Sequence, residues 1–211
     1  SPFWCVHPVF CQNVIIRNLL FDAYVVNNDG IDPESSRNVL IENVQFNNHD
    51  DNVAVKAGRD REGREGADIS GTELEGVDSP FIDNNRIGGA SENIVIRNCV
   101  FKGHYAIAVG SEMSGGVRHV YAVNNHSIQD VNMGFFVKSS RTRGGVVEDI
   151  VIRGLFLNRV EHDVISLIPN YDNDAASPYP PQFRDIHLQN ITAESAENGI
   201  RIFGWHDAPV K

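Results

Sequence analysis

Apolar and polar positions along the chain alternate in short runs that return at a nearly regular interval. The pattern Asn-φ-x-φ-x-Asn, with φ apolar, occurs at 13–18, 38–43 and 93–98, with looser copies at 119–124, 149–154 and 185–190. Five of the six run on into a second alternating piece, such as Leu19-Leu20-Phe21, Val44-Gln45-Phe46 and Leu155-Phe156-Leu157. A third piece follows after a turn, at 53–55, 107–109, 135–137, 164–167 and 200–202. Period two with abundant Val and Ile predicts strands, and no stretch shows a capped 3.6-residue period. The starts step by 25 residues (13 to 38), 26 (93 to 119), 30 (119 to 149) and 36 (149 to 185), with one double step of 55 (38 to 93).

Short strands, turns rich in Asn, Asp and Gly, and this step predict an all-β solenoid of three-strand coils, a parallel β-helix. Each coil buries its inward side chains only by stacking on its neighbours. The recurring corner Asn fits an inward-turned ladder or a left-handed backbone position. A sandwich or barrel of short strands is the competing arrangement, but it gives no reason for one corner residue per coil. Residues 59–92 interrupt the ladder with charged, Gly-containing sequence, so residues 1–211 are expected to form a single domain with one loop insertion. That insertion reads either as a mobile surface loop or as a wall closing one end of a substrate cleft.

Composition narrows the partners. With 211 residues, 41% hydrophobic and 22% charged, the chain suits one soluble domain with a sizeable core. It has no apolar run long enough to cross a bilayer and no basic-then-apolar leader pattern, and Ser1-Pro2-Phe3-Trp4 reads like the interior of a domain. The net charge of −10 argues against nucleic acid. It also means that an anionic polysaccharide would need a local basic patch. Cys5, Cys11 and Cys99 form no closed disulfide framework and no metal-ligand spacing, although Cys5 and Cys11 could pair.

Candidate chemistry lies on one register. Asn27-Asn28-Asp29-Gly30-Ile31-Asp32 is followed, 21 residues after Asp29, by Asp50-Asp51. One coil apart, the two motifs should stack at roughly 4.8 Å along the axis. Lateral offsets could then bring a carboxyl pair to the separation of about 6.5–9.5 Å that inverting glycoside hydrolysis uses. Either motif alone reads as a solvated turn. His104, however, lies 54 residues after Asp50, and 107–109 lie 54 after 53–55, which puts His104 at the corner Asp50 occupies in an earlier coil. Lys138 lies 28 residues after Gly110, at the matching end of the next strand. Packing does not require Asp, Asp-Asp, His and Lys along one face.

These residues resemble a known family. Asn27-Asn28-Asp29-Gly30, Asp50-Asp51, Gly103-His104 and Val137-Lys138 look like the four motifs of the polygalacturonase family of glycoside hydrolases, and the segments 111–118 and 31–35 look like its bacterial and plant-like branch. The resemblance spans essentially the whole chain. It implies a right-handed parallel β-helix, a secreted or periplasmic monomer, a pectic polysaccharide or oligosaccharide as substrate, and no cofactor or metal. Members are commonly longer, so the chain looks truncated on its N-terminal side. By the same resemblance Asp50 is the general acid, and Asp29 and Asp51 activate water for inversion. His104 keeps the acid protonated, Lys138 binds a substrate carboxylate, and Asn27 and Tyr171 contact substrate. Clustered carboxylates should also push one pKa up toward the range of an acid.

The departures are Phe136 in place of the family's arginine, Tyr105 in place of a glycine and Asn52 in place of a cysteine. Arg141 or Arg143 could supply the missing guanidinium, or the two arginines are a solvated turn and Phe136 offers an apolar face to a sugar other than plain galacturonate. Exo action is a modest preference. Two rivals remain: a Ca²⁺-dependent pectic lyase, and a β-helix that binds carbohydrate without cleaving it.

Overall fold

The computed structural model describes residues 4–172 and 176–211, so Ser1-Pro2-Phe3 lie outside the described residues. In chain order the elements are β1 (Gln12–Arg17), β2 (Arg37–Glu42), β3 (Val53–Val55), α1 (Asp60–Glu65), β4 (Ala67–Asp68), β5 (Ile82–Asp83), β6 (Arg86–Ile87), β7 (Ser91–Arg97), β8 (Val100–Gly110), β9 (Val117–Lys138), β10 (Val146–Ile168) and β11 (Gln182–Ile202). One parallel ladder runs β1-β2-β7-β9-β10-β11 and carries the Asn-bounded repeats. A second joins Leu20, Gln45, Val100, His126, Phe156 and Thr192. A third joins β3 to 107–109, 135–137, 165–167 and 200–202. Three parallel ladders per coil make the chain a right-handed parallel β-helix, the hand that parallel crossovers take. In the later coils the expected short pieces merge into strands of 21 to 23 residues, bent at bulges.

The core fills the tube. Val39, Ile41, Ile94, Ile96, Val120, Ala122, Ile150 and Ile152 are buried at alternate positions. On the second ladder Phe21, Phe46 and Phe101 stack at centroid distances of 5.2 and 5.7 Å. Both ends of every Asn-bounded repeat lie in the left-handed region: Asn13, Asn38, Asn93, His119, Asp149 and Asp185 at one corner, and Asn18, Asn43, Asn98, Asn124, Gly154 and Asn190 at the other. Of the two readings of the corner Asn, the left-handed one holds. A ladder is also present, with Asn38 donating to Asn13 and Asn93 to Asn38, each at 3.0 Å, but it is exposed and does not turn inward.

The insertion carries structure of its own. Helix α1 spans one and a half turns with no side-chain cap, and an antiparallel β4-β6-β5 sheet follows it. This helix departs from the all-strand expectation, because DREGRE has neither an apolar stripe nor a capping residue to signal it. Ile69 and Phe81 are buried beneath the segment. Arg64 donates to the carbonyls of Thr142 and Arg143 and stacks on Tyr179, and Arg143 binds Asp60 at 2.9 Å. The insertion is thereby fastened to the turn after β9. Cys5, Cys11 and Cys99 are all free thiols, so the suggested Cys5–Cys11 pair is not formed.

Candidate active site

The site sits on the bend between the second and third ladders, where coils differ in length. Gly103 to Ile107 and Val131 to Phe135 each take four steps, and these residues pair directly. The bend from Asn48 to Val53 takes five, and the one from Ala23 to Ile31 takes eight. The extra residues are those that hold Asp50-Asp51 and Asn27-Asn28-Asp29. Surplus chain at this bend pushes the carboxylates out of the ladder. It also corrects the expected register: the ladder partner of His104 is His49, whose ring stacks on it at 6.2 Å, while Asp50 reaches His104 from one position further on.

Local packing holds these bends. A Cβ on Gly30 would stand 2.4 Å from the Asn52 carbonyl and 2.6 Å from the Phe46 ring, so only glycine lets the Asp29 turn lie on the next coil. Gly103 has φ +99°, and its Cβ would meet the Asn48 carbonyl at 2.5 Å. The buried Asn48 amide donates to the carbonyls of Asn28, Asp50 and Asp51 at 2.9–3.0 Å, tying both carboxylate bends together. Asn52 donates to the Tyr105 carbonyl at 2.7 Å and so fastens the His104 segment.

The result is a cleft of about 430 Å³ lined by Asn27, Asp29, Asp50, Asp51, His104, Lys138 and Tyr171, together with Trp4, Lys56, Tyr105, Ser111 and Glu112. One oxygen from each of Asp29, Asp50 and Asp51 lies within 4.8 Å of those from the other two. That approach is closer than the separation of about 6.5–9.5 Å expected of an inverting pair, so carboxyl spacing alone does not select inversion. Distance alone would admit a divalent cation at the trio. Two ammonium groups already face it, however, and would oppose a further positive charge.

Those ammonium groups define the electrostatics. Lys138 Nζ donates to Asp51 Oδ2 at 2.8 Å and is ringed by Tyr105, Phe136 and Tyr171 at 5.1 to 5.8 Å. Burial pulls its pKa down, but Asp51 outweighs burial and holds it above the ordinary lysine value. Lys56 Nζ lies 3.5 Å from Asp29, 3.4 Å from Asp32 and 3.3 Å from Glu112, beneath the Trp4 ring at 4.1 Å. Burial again lowers its pKa, and Asp32 with its neighbouring carboxylates more than reverses this.

Burial, then the charge of Asp51, pushes Asp29 up to about 6, against lowering by Asp32 and Lys56. Burial also drives Asp32 well above the usual carboxylate range. Both Asp32 oxygens are buried without a hydrogen bond, Oδ2 facing Lys56 Nζ at 3.4 Å, a setting that favours the protonated acid. The raised carboxyls on this face are thus the Asp29–Asp32 pair. His104 is lowered, first by burial, against the pull of Asp50, whose Oδ1 stands 3.7 Å from Nδ1.

Arg141 does not line the cleft. Its guanidinium is bidentate on Asp207 at 2.9 Å and donates to the Ser177 carbonyl, so it does not supply the missing guanidinium. Arg143 is buried, binds Asp60 and Glu112 and stands 3.7 Å from Asp172; of the lining residues it pairs with Glu112. No residue of 59–92 is among the lining residues either. Sequence reasoning passed over Lys56, Asp32, Glu112 and Trp4 as site residues. A signal for Lys56 was present: it follows 53–55 as Lys138 follows 135–137.

Comparison with known proteins places the chain among relatives. The family described as Glycosyl hydrolases family 28 matches residues 1–209. A "Probable polygalacturonase" of Vitis vinifera is 31% identical over 99% of this chain and 40% of its own length. An "Exo-poly-alpha-D-galacturonosidase" of Dickeya chrysanthemi is 26% identical over 92% of this chain and 31% of its own. Among solved structures, a hyperthermoactive exopolygalacturonase from Thermotoga maritima superimposes with a TM-score of 0.83 at 36% identity, over 99% of this chain and 42% of that one. A polygalacturonase from Erwinia carotovora, at 20% identity and a TM-score of 0.68, shares the fold. The chain thus spans well under two thirds of the relatives it matches.

Proposed function

The chain belongs to glycosyl hydrolases family 28, and from that premise we propose that it carries the acid–base centre of an inverting hydrolase acting on galacturonic-acid-containing pectic chains. One observation carries the reading: Asp29, Asp50 and Asp51 converge within 4.8 Å in a cleft beside His104 and between two buried lysines. Asp50, half-buried at the cleft mouth, protonates the glycosidic oxygen. Asp29 and Asp51 hold and deprotonate the attacking water, and Asp51 Oδ1 is buried with no partner among the described residues, free to accept from that water. Lys138, bound to Asp51 at 2.8 Å, holds that carboxylate in place rather than reaching out for substrate. Its contact with a substrate carboxylate is therefore secondary in this proposal. The names of the Dickeya and Thermotoga relatives favour action from chain ends. A cell-wall polymer as substrate puts the enzyme outside the cell or in the periplasm.

The test is to incubate the natural full-length protein with polygalacturonate and with rhamnogalacturonan, following reducing ends, ultraviolet absorbance and the anomer first released. New reducing ends of inverted configuration without absorbance, falling by about 10²–10⁴-fold in Asp50→Asn, are expected. Absorbance rising in step would mean a lyase. No cleavage of either polymer would move the reading to a carbohydrate-binding helix.

A further inference from the structure

Beside the catalytic cleft runs a second, larger groove of about 680 Å³, lined by Tyr24, Asn47, Lys102, Gly103, Ile128, Gln129, Asp130 and Asn158. Its register explains its shape. Ala23, Asn48 and Gly103 are ladder neighbours on successive coils, followed by Val131 and Val160. The lining residues stand beside these positions, so the groove crosses five coils, about 19 Å along the axis at the usual strand spacing. Its lining residue Gly103 directly precedes His104 of the cleft and leaves bare backbone next to Tyr24.

Two observations point to its ligand. The first is an unbroken run of rings. Tyr24 meets His49 at 4.9 Å, His49 stacks on His104 at 6.2 Å, and His104 meets Tyr105 at 4.0 Å at the carboxylate trio. Tyr24 is 61% exposed at the far end of this run, so its face is open to a sugar ring. The second concerns charge. Both lysines of the cleft are engaged by protein carboxylates, whereas Lys102 makes no ion pair among the described residues. Of the nearby carboxylates, Asp130 stands 3.8 Å from Arg159, and Asp22 accepts a hydrogen bond from the neutral Asn47 amide at 2.7 Å. A half-buried cation without an ion pair among the described residues, beside amide side chains and an exposed tyrosine, suits an acidic sugar.

We propose that this groove binds the same chain at sugar units beyond the scissile bond, Tyr24 packing on a ring face and the Lys102 ammonium taking a uronate carboxylate. The proposal rests on the hydrolase reading above and adds a carboxylate contact at Lys102 to the one that Lys138 offers in the cleft. The test compares wild-type protein with Tyr24→Ala, Lys102→Gln and Lys102→Arg on galacturonate oligomers of increasing length, as free acids and as methyl esters. Tyr24→Ala should raise KM on long oligomers of both kinds by about tenfold, the loss of one good stacking contact. Lys102→Gln should raise KM by a similar factor on free acids alone, erasing the preference for acid over ester, and Lys102→Arg should restore it. If both variants keep the wild-type KM at every length while the enzyme cleaves normally, the groove proposal is overturned and the hydrolase reading stands. If the wild type cleaves none of the oligomers, the hydrolase reading fails. Titration with trigalacturonate then decides the groove by itself: weaker binding in Lys102→Gln upholds it, and an unchanged Kd refutes it.

Discussion

Asp29 shows what the bend does to a single carboxyl. Because its pKa is raised from 3.8 to about 6, the folded state holds the proton more tightly than the unfolded chain does. The contribution of Asp29 to stability is therefore fully present below pH 3.8 and is lost as pH rises through about 6. Above that window the ionised carboxylate costs about 3 kcal/mol, at about 1.36 kcal/mol per unit. Asp29→Asn should accordingly raise stability at pH 8 by up to about 3 kcal/mol while leaving it nearly unchanged at pH 4, as denaturant titrations at both pH values would show. Equal effects at the two pH values would mean that Asp29 carries no raised pKa. Lys56 acts in the other direction, since its ammonium lowers Asp29. In Lys56→Met the limb on which activity rises with pH should move above its wild-type position near 6, and a profile that stays put would remove Lys56 from the site. Asp29, Asp50, Asp51 and His104 were legible because turn and pair motifs repeat at coil spacing. Asp32 and Glu112 were not, because their roles come from what Lys56 reaches across three coils.

At the scale of the element, the repeat was legible because its corner is a backbone requirement and not a packing preference. Asparagine tolerates the left-handed region, so Asn13, Asn38 and Asn93 mark the same corner whatever lies between them. His119, Asp149 and Asp185 hold the same conformation, which explains why looser copies of the pattern kept register. Asn38 has φ +54° and sits between two ladder partners, so two penalties separate in a mutant pair. Asn38→Gly loses only the exposed side-chain bonds and should cost less than about 1 kcal/mol. Asn38→Val adds a β-branched side chain at positive φ and should cost about 2–3 kcal/mol. Chemical denaturation of both variants checks this, and equal losses would show that the ladder, not the backbone, holds the corner. The length of the bends was illegible for the opposite reason. The eight steps from Ala23 to Ile31 and the five from Asn48 to Val53 become surplus only once the flanking strands are paired, so counting along the sequence put His104 over Asp50 instead of His49.

The whole molecule raises a question of charge that no single residue answers. The chain has a net charge of −10, and the cleft itself sets Asp29, Asp50, Asp51 and Glu112 against only Lys56 and Lys138. Arg143, which sequence reasoning offered to the substrate, is spent on Asp60 and Glu112 and serves to anchor the insertion. On the proposed reading, a polyuronate would approach a surface of its own sign, helped by Lys102 if that residue takes a uronate carboxylate. One partly exposed cation is worth about 1 kcal/mol or less, whereas the repulsion sums over many charges and acts across a Debye length of about 30 Å at 0.01 M salt, shrinking to about 8 Å at 0.15 M. Repulsion should win at low salt and be the term that salt removes. Raising ionic strength over that range should then lower KM for polygalacturonate and leave KM for its methyl ester nearly unchanged. This is the reverse of the salt response of an enzyme that draws its substrate in by charge. Steady-state kinetics on the two polymers at both salt concentrations decide the matter. A KM for the free acid that climbs with salt would mean that local cations, with Lys102 foremost, govern the encounter despite the net charge.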